Sequence, residues 1–255
     1  MIFLKSRQEI EIMRTANRIV SEILADLRER IVSGISTGEI DRISAEQIKR
    51  KGAKSAFKGY QIRSGVPPFP ATICVSLNNE IVHGIPSSQR VVKEGDIISL
   101  DFGVIYKDFY GDAALTFFLG KSDEKTHRLI ASTEEALEEG IAKATVGNRI
   151  GDISSAVQER VEKEGFSVVR EFVGHGVGRR LHEDPPIPNY GVRGRGVRLR
   201  EGMVIAIEPM VNIGGSDVLM KSDGWTAVTK DGSLSAHFEH SVAITEKGPE
   251  VLSRL

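Results

Sequence analysis

The sequence predicts an α+β protein with a mainly antiparallel sheet, and two observations carry that expectation. Helical periodicity comes first and strand-like runs follow, and this order occurs twice along 255 residues. Such an order favours segregated helices and strands over a doubly wound sheet. The two halves also match in detail. Lys93-Glu94-Gly95-Asp96-Ile97-Ile98-Ser99-Leu100-Asp101 parallels Arg200-Glu201-Gly202-Met203-Val204-Ile205-Ala206-Ile207-Glu208: a basic residue, Glu-Gly, an apolar strand, then an acid at the same offset. Ile40-Asp41-Arg42-Ile43-Ser44 echoes Ile150-Gly151-Asp152-Ile153-Ser154, and His83-Gly84-Ile85 echoes His175-Gly176-Val177. The chain reads as one domain, 1–255, made of two diverged copies of roughly 6–120 and 121–250. A pseudo-twofold relation would bring the two strand-end acids together at the shared interface.

Each element has a local reason. Ser6-Arg7-Gln8-Glu9 is a capping box, and Ile10, Met13, Val20, Ile23, Leu24 and Leu27 follow at helical spacing as a core stripe. Gly34 closes that region. A second box, Ser36-Thr37-Gly38-Glu39, opens a helix carrying Ile40, Ile43 and Ile48 up to Gly52. Strand-like runs follow at 72–77, 97–105 and 113–119. The second half predicts helices over 123–144 and 150–164, the latter closing on Gly165, then strands over 166–171, 203–211 and 238–245. The segment 63–70 is too rich in proline for a central strand. The segment 190–200 holds three glycines and four arginines, but neither stretch has the character of an interdomain linker.

Composition excludes several classes. A net charge of -1 gives no global attraction to nucleic acid or acidic lipid, so DNA is not expected as a partner. The single cysteine, Cys74, rules out an intrachain disulfide and suits a reducing cytosol. The opening residues Met1 to Ser6 are too short an apolar run for a secretory signal, and no stretch approaches the length of a membrane span. A soluble cytoplasmic monomer is the expectation.

Five residues of ligand type stand where a charge is costly unless paired: Asp101, Asp112, His175, Glu208 and Glu239. Asp101 and Glu208 each end an apolar run, and Glu239 lies between Phe238 and His240. Asp112 follows Asp101 by eleven positions, which fits two adjacent strands joined by a tight turn. Four carboxylates and an imidazole that converge would make an oxygen-rich cage for two divalent ions. Strand alternation puts His237 beside Glu239 as a supporting partner, with His240 on the other face satisfying a backbone group. His127 sits among helical charges and reads as solvated. Gly174-His175-Gly176-Val177-Gly178 does not lead into a dinucleotide-binding helix. Its glycines are better read as allowing close approach to a metal-bound histidine. The spacing from His175 to His182 fits no short-helix zinc motif.

Taken in order, these motifs resemble the type I methionine aminopeptidases of the pita-bread metallopeptidase fold. The resemblance is carried by Asn79-Glu80-Ile81-Val82-His83-Gly84-Ile85-Pro86, Asp101-Phe102-Gly103, Gly111-Asp112, Gly174-His175-Gly176-Val177-Gly178, His182-Glu183-Asp184-Pro185, Ile207-Glu208-Pro209-Met210 and Phe238-Glu239-His240. It runs from the first helix to the last strand and fits the short bacterial form, with no zinc-finger extension and no insert between His175 and Glu208. It implies two pseudo-twofold-related halves with a curved, mainly antiparallel sheet covered by helices. By the same resemblance, Asp112 and Glu239 bridge two divalent ions (cobalt, manganese, iron or zinc). Asp101 binds one ion and His175 and Glu208 the other. A hydroxide between the metals attacks the first carbonyl, the substrate α-amine binds on the Asp101 side, and Glu208 handles the proton. His83 and His182 contact the substrate, His182 at the developing oxyanion and His83 at the scissile nitrogen. Phe69, Cys74, Leu181 and Trp225 line a methionine pocket, and small second residues are preferred. The family often has tyrosines ahead of the pocket cysteine and an aromatic before the second histidine. Here a proline-rich segment with Phe69, and Leu181, take those places.

Two other readings remain at this point. An Xaa-Pro aminopeptidase or prolidase shares the fold but usually carries an added N-terminal domain. A non-enzymatic peptide-binding scaffold would be expected to lose ligands, and all five are present. Arg179, Arg180, Arg193, Arg195, Arg198 and Arg200 suggest contact with ribosomal RNA. Solvated loops with local ion pairs are the preferred reading of them.

Overall fold

A computed structural model describes residues 1–62 and 65–255. The first half holds α1 (Arg7–Arg30), α2 (Thr37–Arg50), β1 (Lys54–Ser55), β2 (Cys74–Leu77), β3 (Glu80–Val82), β4 (Ile97–Tyr106) and β5 (Phe109–Phe118). The second holds α3 (Glu124–Lys143), α4 (Ile150–Lys163), β6 (Ser167–Val168), β7 (Gly174–Gly176), β8 (Glu183–Ile187), β9 (Val204–Ile207) and β10 (Met210–Asn212). It continues with β11 (Val218–Met220), β12 (Ala227–Thr229), β13 (Ser235–His237), β14 (Glu239–Thr245) and β15 (Gly248–Val251). The main sheet runs β1-β4-β5-β14-β9-β7-β8, with β2 on β4 and β15 on β14, and every pairing is antiparallel. Two three-stranded sheets, β13-β10-β6 and β11-β12-β3, flank it. The α+β expectation holds.

The helix starts follow the sequence signals. Ser6 Oγ accepts from the Glu9 amide while the Glu9 carboxylate accepts from the Ser6 amide, closing the box on α1. At α2 only half the box forms. Ser36 Oγ caps Glu39 N, and the Glu39 carboxylate turns outward to Arg42 instead. The stripe of α1 and α2 packs on β2, β4 and β5 through Ile23, Leu27, Ile40, Val75, Leu100 and Phe102. Gly111 permits the closest approach, since a Cβ there would sit 2.7 Å from Asn17 N. On the other side, α3 and α4 bury Leu137, Ile141 and Ile153 against Ile205, Ile207 and Val242. The N-terminal arm is clipped to β8: Lys5 Nζ lies 2.7 Å from Glu183 Oε2, with each side chain only 5% exposed.

Three expected strands change shape. The run 203–211 breaks between Ile207 and Met210, where Pro209 offers no amide to a ladder. The run 166–171 shrinks to Ser167–Val168, and the last run begins at Glu239. Arg63 and Ser64 lie outside the described residues, and residues 65–70 contain no strand, as expected. No helix among the described residues is long and apolar enough to cross a membrane.

Candidate active site

Four neighbouring strands, and the residue just past the end of a fifth, deliver the ligand-type residues. β4 and β5 form a hairpin whose two-residue turn, Lys107-Asp108, has positive φ at both positions (48° and 63°). That is the turn whose twist matches a tight antiparallel hairpin. The register then places Asp101 opposite Ala114, and Glu239 of β14 opposite Ala114 from the other side. Asp112 stands two residues from Ala114, on the same face by strand alternation. His175 of β7 pairs with Ala206 of β9, and Glu208 follows two residues on. Asp101, Asp112, Glu239, Glu208 and His175 therefore share one face across β4-β5-β14-β9-β7. The small side chains of Gly103 and Ala114 leave room between them; a Cβ on Gly103 would lie 3.2 Å from Asp112 Oδ1.

Distances and burial describe a cluster that is short of positive charge. Ligand atoms of Asp112, His175 and Glu239 lie within 4.8 Å of one another. His175 Nε2 is 3.9 Å from Asp112 Oδ2 and 3.5 Å from Glu208 Oε1. Asp112 Oδ1 and Glu239 Oε1 are buried with no hydrogen-bond partner among the described residues. Burial drives the carboxyl pKa values upward: Asp101 to about 7 and Glu208 to about 8. Asp112 and Glu239 rise well above the carboxylate range, first by burial and then by the neighbouring acids. Burial pushes His175 down to about 3, so its ring is neutral.

The His175 ring also has a defined tautomer. Nδ1 lies 2.9 Å from the Gly176 carbonyl oxygen, which can only accept, so Nδ1 carries the proton and Nε2 is a bare lone pair. That lone pair faces Glu208 Oε1 at 3.5 Å. While Glu208 keeps its proton, its hydroxyl can face that lone pair; once the carboxyl ionises, two acceptors face one another and a cation between them restores attraction. Orphaned buried oxygens and a committed lone pair are what a divalent-ion site presents.

A cavity of about 270 Å³ opens over this cluster, lined by Asp101, Asp112, His175, Glu208 and Glu239 at the polar end. Phe69, Cys74, Leu181 and Trp225 line its apolar part and pack together as one buried group. Trp225 sits in the bend just before β12, and Nε1 donates to Pro67 O at 2.8 Å. Both His83 and His182 reach the cavity. His83 holds φ 59°, an uncommon conformation for a residue with a Cβ. Its ring packs edge-on against Phe172 and Trp225. Gly84 beside it is obligatory in packing terms, because a Cβ would lie 2.3 Å from Val75 O. The His182 ring packs edge-on against His175 at 4.3 Å between centroids.

Sequence reasoning missed several lining residues: Phe57, Tyr60, Ile62, Val82, Phe172, Val173 and Met210. Tyr60 matters most, since its hydroxyl lies 2.5 Å from His182 Nδ1. A tyrosine does stand ahead of Cys74, upstream of the proline-rich segment. His240 bonds the Ser253 hydroxyl at 2.8 Å instead of a backbone group. His127 is exposed and packs edge-on against Phe118. Three of the six arginines have local partners: Arg179 reaches Glu9 at 3.2 Å, Arg193 reaches Glu159 at 3.7 Å and Arg198 donates to Gly147 O.

Residues 11–246 match the profile of metallopeptidase family M24. The chain belongs to that family. Among relatives of this metallopeptidase, the methionine aminopeptidase of Clostridium perfringens is 51% identical over 253 residues, covering 99% of each chain. Methionine aminopeptidase 1 of Bacillus subtilis is 50% identical over the full length of both. The structure of methionine aminopeptidase from Thermotoga maritima superposes with a TM-score of 0.96 at 48% identity, covering 100% of both chains. Prolidase from Pyrococcus furiosus shares the fold at a TM-score of 0.78 and 23% identity, and this chain spans 65% of its length. The expected pita-bread architecture and the methionine aminopeptidase family are thereby shown, with prolidases as relatives in fold.

Proposed function

We propose that this M24 metallopeptidase removes the N-terminal methionine from peptides and newly made proteins, preferring a small second residue. The observation that carries the reading is the alignment of Asp101, Asp112, Glu239, Glu208 and His175 on one sheet face beneath an apolar pocket. These five residues would hold two divalent ions, Asp112 and Glu239 between them, Asp101 on one and His175 with Glu208 on the other. Oxygen-rich donors with one imidazole suit manganese, iron, cobalt or zinc. A bound divalent ion supplies Lewis acidity, acidifying water and polarising a carbonyl.

The remaining chemistry belongs to the chain. Phe69, Cys74, Leu181 and Trp225 take the thioether side chain, an apolar group with a polarizable sulfur. Glu208 accepts the proton of the attacking water. Tyr60 is held as a neutral phenol by burial, and its hydroxyl, 2.5 Å from His182 Nδ1, would donate there and so leave the proton of that ring on Nε2. His182 Nε2–H then donates to the carbonyl oxygen as negative charge develops there. His83, kept neutral by burial with its pKa near 4, serves the scissile nitrogen. The protein acts as a monomer in the cytoplasm, where chains with free methionine termini arise.

Methionine release from Met-Ala-Ser and Met-Lys-Ser tests this, with metal-stripped enzyme before and after manganese or cobalt is restored. Metal-dependent release from Met-Ala-Ser, much weaker from Met-Lys-Ser, is expected. Cleavage of an Xaa-Pro peptide instead would move the specificity to the prolidase side of the fold.

A further inference from the structure

Glu208 stands between two imidazoles, one facing each carboxylate oxygen. His175 Nε2 is 3.5 Å from Oε1, and His237 Nε2 is 3.5 Å from Oε2. The two rings differ in what else they bond. His175 donates its Nδ1–H to the Gly176 carbonyl. In His237 both nitrogens are buried and without a hydrogen-bond partner among the described residues; Glu208 Oε2 is the carboxylate oxygen within 4.0 Å of the ring, and the Asp101 carboxylate also acts on it.

We infer that His237 is a positioning residue for Glu208: its Nε2–H holds Oε2, leaving Oε1 turned to the His175 lone pair as the oxygen that receives a cation. The inference rests on the metal-site reading above and assigns the division of labour inside it. Several features support it. The His237 main chain is fixed on both sides by one hydroxyl, its amide donating to Thr116 Oγ1 at 2.9 Å and its carbonyl accepting from Thr116 Oγ1 at 2.7 Å. In the ladder it lies opposite Met210, two residues past Glu208. The residue is 1% exposed, so the ring has no solvent to turn toward. Glu208 itself is tethered through its main chain, where Asn189 Nδ2 donates to its carbonyl at 3.0 Å. No hydroxyl or main-chain amide among the described residues holds its carboxylate. The gap of 3.5 Å exceeds a good N–H···O bond by roughly half an ångström, which a small rotation of the carboxylate closes. Loss of such a donor leaves the carboxylate free to rotate and present either oxygen.

The test uses wild type, H237Q and H237L. Glutamine places an N–H donor in the same region, whereas leucine fills the space without one. Manganese is titrated calorimetrically into each metal-stripped protein, kcat and KM are measured on Met-Ala-Ser, and the metal-free melts are recorded. The expected result for H237L is manganese affinity weaker by about 10–100-fold, with kcat lowered and KM little changed. H237Q is expected within about 3-fold of wild type, the donor having been restored. Nitrogen NMR of the unmodified metal-free protein gives a reading independent of any variant, and the Nε2–H tautomer of His237 is expected. Wild-type affinity in a folded H237L overturns the inference. So does H237Q failing as badly as H237L, or an Nδ1–H tautomer. If wild type itself neither takes up manganese nor releases methionine, the metal-site reading falls and this inference with it. An active wild type with indifferent variants removes the role of His237 alone.

Discussion

Stripping the divalent ions from this protein should make its stability fall as pH rises from 7 to 8, the reverse of what most surface carboxylates do. Glu208 sets the size of the effect. Burial raises its pKa from 4.5 to about 8. A carboxyl whose folded pKa lies above its unfolded value stabilises the fold fully below the unfolded pKa. That contribution is lost as pH climbs through the folded one, because only the unfolded chain releases the proton early. About one unit of the shift falls between pH 7 and 8, worth ~1.4 kcal/mol at about 1.36 kcal/mol per unit. The side chain is 13% exposed, and water at that edge trims the figure to about 1 kcal/mol. With an unfolding entropy of ~2.1 cal/mol/K per residue, a protein of 255 residues would melt about 2 °C lower at pH 8 than at pH 7. Asp112 and Glu239 act in the same direction. Below pH 7 the buried His83, His175, His182, His237 and His240, whose pKa values burial lowers, act the other way. The assay is calorimetric melting of chelated protein at both pH values, repeated with manganese restored. Bound ions stabilise the ionised carboxylates, so the loaded protein should not show the fall. E208Q should flatten the slope in the metal-free form. A metal-free protein that melts at the same temperature or higher at pH 8 would refute the argument that these acids are buried without cations.

Four further outcomes can be checked. D112N and E239Q keep the shape of the site while removing one charge each; metal stoichiometry should drop, and kcat/KM should fall by roughly 10²–10³-fold or more. Y60F should lower kcat by about 10-fold with KM nearly constant, because the His182 proton is no longer fixed on Nε2; equal kcat in Y60F would show that His182 orients itself. K5M leaves Glu183 buried with only the Arg179 and Arg180 amides as donors, and chemical denaturation should register a loss of about 2–3 kcal/mol. F69A opens the apolar wall beside Trp225, costing about 3–5 kcal/mol in stability and raising KM for Met-Ala-Ser; an unchanged KM would place the methionine side chain elsewhere.

How much of this was legible in the sequence depended on how local the signal was. Asp101 and Asp112 were readable because a hairpin turn fixes the register within a few residues, and the ladder bears this out. The helix caps at Ser6 and Ser36 were readable for the same reason. Glu208 was placed correctly at the end of an apolar run, but the continuation of that strand through Pro209 was not tenable once the missing amide is counted. Tyr60 was missed because it lies in an irregular loop, where no period dictates which way a side chain faces. Its partner His182 is distant in sequence, separated by 122 positions. His240 went wrong on its partner for a related reason: Ser253 is brought beside it only when the residues after β15 fold back across β14.

The place of β14 in the sheet has a consequence for how the molecule comes into being. This strand, residues 239–245, lies between β5 and β9, so a segment synthesised late occupies the middle of the sheet. While a ribosome is still making the chain, β5 and β9 have no common neighbour, and Glu239 does not yet exist to join Asp112. The helices and the β4–β5 hairpin can form from local contacts beforehand. Closure of the sheet and assembly of the five-residue cluster are then one event, which waits for β14. A growing chain of this protein brings the five residues onto one face only after residues 239–245 have been made and paired.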